Sequence, residues 1–146
     1  MAYSTLNDLI AASSEKDILE LTDDARIGEI NQGFVSEAIS KADAIIDSYV
    51  SGRYRVPIAA PVPLIIGDIS AQLAIYFLYE RRFRADMPES IMKIYSNLIG
   101  QLKEVHEGKM NIPAEPIGNG IMGSGPTRVN KTAADRLFPW SKLNEW

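Results

Sequence analysis

The apolar residues of this chain fall into three long stripes of helical period. From about Gln32, residues Phe34, Ala38, Ile39, Ala42, Ile45, Ile46 and Tyr49 recur at steps of three and four, which draws one apolar face along a helix. Gly52 follows its last turn, where a left-handed glycine commonly ends a helix, and Pro57, Pro61 and Pro63 hold off renewed helix until the last of them. Pro63 suits the first turn of a second helix, because its missing N–H would lack a helical partner there. Leu64, Ile65, Ile66, Ile69, Leu73, Ile75, Tyr76, Phe77 and Leu78 then cover far more than one stripe. A helix apolar on nearly every side belongs at the centre of a bundle, or is buried partly by a neighbouring subunit. It closes in "ERRFR", with cations where the helix dipole favours them. After the "ADMP" break, Ile91, Ile94, Tyr95, Leu98, Leu102 and Val105 define a third long helix ending at Gly108.

Two shorter helices precede these. Thr5 is placed to cap a helix from Leu6, and in "SSEKDILEL" Ser14 stands three residues before Asp17, close to a capping box. The pattern predicts an all-α fold: a small bundle of three main helices with short N-terminal ones, occupying residues 1–109. Residues 110–130 hold four glycines and three prolines, too many for a helix and with too few large apolar groups for a core. They predict an extended loop, followed to residue 146 by an arm that regains Leu137, Phe138, Trp140, Leu143 and Trp146. An aromatic arm of this kind docks on something, since aromatics bury much area for little lost rotamer freedom. Its target is the chain's own core, a neighbouring copy or another protein.

Composition narrows the classes. With 146 residues the chain is near the size of one domain, and no apolar run approaches the roughly 20 residues of a membrane span. "MAYSTLNDLI" lacks the basic and apolar regions of a secretory signal, which speaks against export by that route. The absence of cysteine removes disulfides, thiolate metal sites and thiol nucleophiles, and fits a reducing cytoplasm. Charge is unevenly spread: residues 1–50 carry ten acids against Lys16, Arg26 and Lys41, a net −7, whereas the remainder is +3. Such a split suits an acidic half of one copy facing a basic element of the next.

Candidate chemistry is sparse. Gly118, Gly120 and Gly123 match G-x-G-x-x-G, but the motif binds dinucleotides only between a strand and a helix, and prolines on both sides deny it that setting. Asp43 and Asp47 share a helix face, yet nothing supplies a cleft to split their pKa values, so a solvated or partner-facing acidic face is the expectation. A single histidine, His106, and no cysteine leave no metal-ligand set. "GSG" at 123–125 lacks the strand–turn–helix setting of a nucleophile elbow. No enzyme, cofactor or metal is expected. The unusual stretch is "IDSYVSGRYRVPI" at 46–58, where Arg53, Tyr54 and Arg55 cluster at a helix break before Pro57. One reading has Arg53 capping the carbonyls that end the long helix, Tyr54 covering the core and Arg55 solvated. The other makes the corner an interface, where aromatic and guanidinium groups are enriched.

"AIIDSYVSGRYRVPI", with "LTDD" upstream, "IGDISAQLAIYFLYERR", "IYSNLIGQLKEVHEGK" and the ending "RLFPWSKLNEW", resembles a Mu-like prophage family of small helical proteins. The most specific part is I-D-x-Y-x-x-x-R-Y-x-x-P, here Ile46, Asp47, Tyr49, Arg53, Tyr54 and Pro57. The resemblance runs over nearly the whole chain and implies a head-to-tail connector, or adaptor, of tailed phages with no catalytic residues. It implies a homo-oligomeric ring, twelve-fold in the family, beneath the portal protein in the virion neck, assembled in the host cytoplasm. DNA would pass through its channel without sequence-specific binding, and a stopper or tail-completion protein would follow. On this reading Asp43, Asp47, Tyr49, Arg53, Tyr54, Arg55, Pro57, Arg81, Arg82 and Arg84 are candidate subunit-interface residues. Arg136, Leu137, Phe138, Trp140, Leu143 and Trp146 form a candidate portal-binding arm. The alternatives are a stopper or tail-completion protein of the same neck, and a DNA-binding helical module using Arg53, Arg55, Arg81, Arg82 and Arg84 on phosphates.

Overall fold

The computed structural model describes residues 2–83 and 87–117. Among these residues the regular elements are all helical: α1 (Leu6–Ala12), α2 (Glu15–Thr22), α3 (Gln32–Val50), α4 (Leu64–Arg82) and α5 (Glu89–Glu107). The all-α bundle predicted by periodicity is the fold, and the helix ends show why the elements stand where they do. The Asn31 side chain accepts from the amides of Gly33 and Phe34, at 3.0 and 3.3 Å, and so starts α3 by satisfying donors that no helical carbonyl reaches. Ser14 caps α2 by accepting from the Asp17 amide at 3.1 Å, while the Asp8 carboxylate takes the amide and hydroxyl of Thr5 ahead of α1. Pro63 is the N-cap of α4, one place earlier than the first-turn position expected for it. α5 closes on Gly108, whose φ of 80° is the left-handed region that favours glycine, with the Lys109 amide donating back to the Glu104 carbonyl at 2.9 Å.

α4 occupies the centre. It packs against α1, α2, α3 and α5, and buries Ile66, Ile69, Leu73, Ala74, Ile75 and Leu78. α3 runs antiparallel to it: Phe34 near the start of α3 meets Arg81 at the end of α4, and Asp43 meets Ser70 midway. α5 covers another side, stacking Tyr95 on Tyr76 with ring centroids 4.1 Å apart and sending Leu98, Leu102 and Val105 inward. The short α1 and α2 would be marginal in isolation. Full burial of Leu9, Ile18 and Leu21 holds them, at about 1.5–3 kcal/mol for each side chain. The apolar surplus on α4 is real but partly outward: Leu64 is 93% exposed and Ile65 39%.

The end of α3 differs from the sequence reading. Gly52 does not adopt a left-handed φ. α3 instead ends by tightening, its Val50 carbonyl accepting from both the Arg53 and Tyr54 amides at 3.0 Å, so the left-handed residue is not needed. A Cβ here would meet the His106 ring at 3.4 Å, an ordinary contact, so the position does not demand glycine. Ile112, in the loop after α5, is also part of the core at 6% exposure.

Candidate functional site: the corner after α3

The Arg53–Tyr54–Arg55 corner is a clasp. Tyr54 is buried, and its hydroxyl accepts from the Ile112 amide at 3.2 Å, which fixes the loop after α5 against the end of α3. The backbones on either side pair as well: the Arg55 amide donates to the Glu115 carbonyl at 2.9 Å and the Ile117 amide to the Arg53 carbonyl at 2.8 Å, framing an antiparallel bridge between Tyr54 and Pro116. Arg53 turns its guanidinium over Gly108, so it serves the C-terminal end of α5, where the dipole favours a cation, and not the end of α3. His106 adds a second tie, its Nδ1 lying 3.0 Å from the Tyr49 carbonyl. Arg55 is exposed and sits 3.6 Å from the Glu115 carboxylate, an ion pair of small energy in water. Pro57 is exposed, and the Val56–Pro57 and Ala60–Pro61 peptide bonds are cis.

Asp43 and Asp47 do share a face of α3, but it points inward. Asp43 is buried; its two oxygens accept from the Ser70 hydroxyl at 2.6 Å and the Tyr3 amide at 3.0 Å, and Ser70 in turn meets the Ser4 hydroxyl at 2.8 Å. Burial pushes the Asp43 carboxyl above its ordinary range, opposed by those hydrogen bonds. The Tyr3 hydroxyl donates to Asp47 and accepts from the buried Ile58 amide at 2.8 Å. Burial and the Asp47 carboxylate raise the Tyr3 phenol to about 12. These acids anchor the N-terminal residues, and in place of the solvated or partner-facing acidic face expected of Asp43 and Asp47, Asp43 is buried and Asp47 half-buried. Tyr3 and Ser70 were not picked out from sequence, although Asp43 interrupts the Ile39–Ile46 stripe and Ser70 the Ile66–Leu73 stripe. Two polar interruptions on facing apolar stripes are the signal of a buried pair.

The other candidate arginines are also engaged within the chain. Arg81 grips Asp24 through both nitrogens, at 2.6 and 2.9 Å, donates to the Leu21 carbonyl at 2.7 Å and lies 3.9 Å above the Phe34 ring. Arg82 reaches the same carboxylate at 2.9 Å. The Arg81 hydrogen bonds hold the Asp24 carboxyl below its usual range. Phe34 and Val50 stand at opposite ends of α3, about 24 Å apart at 1.5 Å per residue, so Arg81 and Arg82 do not share a patch with Arg53 and Arg55. Arg84 and the arm residues Arg136, Leu137, Phe138, Trp140, Leu143 and Trp146 lie outside the described residues. Among the described residues no three His, Asp or Glu side chains gather as a metal would require, and no helix is long and apolar enough to cross a membrane.

The corner, the central helix and the loop clasped behind α5 all fall within residues 3–130, the span matched by the family model described as Bacteriophage Mu, Gp36. The chain belongs to that family. It is also similar to gene product J of Escherichia phage Mu, with 29% identity over 111 residues that cover 75% of this chain and 74% of that protein. The Gp36 family match places the protein among phage proteins and ends just short of the aromatic arm.

Proposed function

We propose that this protein is a structural component of the phage neck: a head-to-tail connector that closes into a homo-oligomeric ring beneath the portal protein and lengthens the channel for DNA. The observation that carries the reading is the Gp36 family match over residues 3–130, which supports a structural or morphogenetic phage role. The fold suits the role without a catalytic step. A helical bundle in which Asp43 and Asp47 hold the N-terminal residues and Asp24 holds Arg81 and Arg82 is a rigid building block, and a ring needs two unlike complementary faces on each copy. DNA is to pass and not be held, and Arg53 and Arg55 stand at one end of α3 with Arg81 and Arg82 at the other, instead of forming one phosphate-binding surface. The aromatic residues 137–146 are the proposed portal contact, with a stopper or tail-completion protein as the partner on the far side.

The test is assembly. The full chain sized alone and with purified portal should give a stable complex carrying many copies per portal. Deletion of residues 128–146 should abolish that complex while leaving the far-ultraviolet helical signal in place. Unchanged portal affinity after deletion overturns the arm assignment, and a full chain that neither self-associates nor binds portal overturns the connector reading.

A further inference from the structure

Two surface features of the bundle carry opposite charge beside apolar groups. The first is the loop between α2 and α3. The Asp23 carboxylate accepts from the amides of Ile27 and Gly28, at 3.0 and 2.7 Å, while the neighbouring Asp24 is fixed by Arg81 and Arg82. Held in this way, the loop turns Ile27 outward at 73% exposure. Beside it Arg26 takes a left-handed φ of 56°, uncommon for a residue with a Cβ, and forms no salt bridge among the described residues. The second feature is a groove of about 300 Å3 between α4, α5 and the end of α1. Ile75, Tyr79, Ile91 and Ile94 line its apolar part, and Asp68 stands at one end, where its carboxylate takes a hydrogen bond from Gln72 but no salt bridge.

We propose that Arg26 and Ile27 of one copy enter the α4/α5 groove of the next, and that this is the contact that repeats around the ring. The inference rests on the connector reading and names the faces that the reading requires. An isoleucine with an adjacent cation meets an isoleucine-lined slot with a carboxylate at its edge. Asp68 and Ile75 are separated by about 10 Å along α4, a span covered by two adjacent residues when one has a side chain as long as arginine's. The occupant is a second copy because the cation and exposed isoleucine of the loop complement the carboxylate and isoleucines of the groove, and the loop, pinned at the α2–α3 junction, shares no residue with the groove of α1, α4 and α5. A contact between unlike surfaces of identical chains is heterologous, and closes into a ring when the rotation between neighbours allows it.

The chain has no cysteine, which makes disulfide trapping clean. The full-length double variant Ile27→Cys with Ile94→Cys, oxidised in the portal-bound assembly and free at high concentration, should give a ladder of covalent oligomers, and each single variant should give nothing beyond dimer. As an independent check, Arg26→Asp keeps a residue tolerant of the left-handed conformation and should weaken self-association at least tenfold, as should Asp68→Arg. Combining the two charge reversals should restore association to within about threefold of the parent. A parent chain that assembles while the double cysteine variant gives no ladder overturns this contact and leaves the connector reading standing. A parent chain that never assembles, with or without portal, overturns both.

Discussion

Replacement of Tyr3 by Phe tests whether the N-terminal residues are structural. The substitution keeps the ring, which is 5% exposed, and removes only the hydroxyl. Two hydrogen bonds go with it: the one donated to Asp47 and the one accepted from the Ile58 amide at 2.8 Å. The Ile58 N–H is then buried without an acceptor, at a cost of about 1–3 kcal/mol. The bond to the Asp47 carboxylate is charge-assisted, but that side chain is half-buried and water can replace the donor, so about 1 kcal/mol is the appropriate figure. The sum is about 2–4 kcal/mol, or roughly 6–12 °C in Tm for a domain of this size. Urea unfolding followed by far-ultraviolet circular dichroism should show a lower midpoint with an unchanged slope. In an Asp47→Ala background the same substitution should cost about 1 kcal/mol less, because one of the two bonds is already gone. A loss below about 0.5 kcal/mol, or strict additivity with Asp47→Ala, refutes the anchoring role.

Further outcomes follow from the same geometry. The Tyr3 phenol is raised to about 12 from 10.0, so the folded chain retains a proton that the unfolded chain loses. Its contribution to stability is therefore intact below pH 10 and declines between pH 10 and 12, by on the order of 1–2 kcal/mol in urea titrations, and Tyr3→Phe should lack this decline. Gly108→Ala forces a Cβ into a left-handed φ of 80° and into the space of the Arg53 guanidinium, and should lower stability by about 1–2 kcal/mol in thermal unfolding. Gly52→Ala, whose added Cβ meets only the His106 ring at 3.4 Å, should stay within about 0.5 kcal/mol.

The helices were readable because burial in a bundle leaves a periodic trace. The α3 stripe, the near-continuous apolar run of α4 and the Gly108 stop all follow from local rules that the tertiary structure obeys. The corner was readable as unusual but not in its role, because its partners Ile112, Glu115 and Ile117 are about sixty residues away and carry no pattern of their own. Charge misled for a related reason. Asp43 and Asp47 at i and i+4 signify a shared face and say nothing about which way it turns; Tyr3 and Ser70 decide that, through contacts distant in sequence. Asp24 likewise looks like one acid among ten in the first third, until α4 delivers two arginines to it.

That last pairing alters the meaning of the charge asymmetry. An acidic first third and a basic remainder invite a picture of opposite halves attracting between copies, yet Asp24 with Arg81 and Arg82 satisfies part of that attraction within one chain. Within what is left for neighbours, two charges run against the asymmetry: Arg26, a cation in the acidic third, and Asp68, an acid in the basic remainder, are without salt bridges among the described residues. Exposed ion pairs contribute little energy but exclude mismatched registers. In the proposed contact, Ile27 in its slot would therefore supply affinity, and the Arg26–Asp68 pair would fix which way round it enters. Raising salt should accordingly weaken self-association only modestly, in contrast to the steep salt dependence of a surface that binds DNA phosphates.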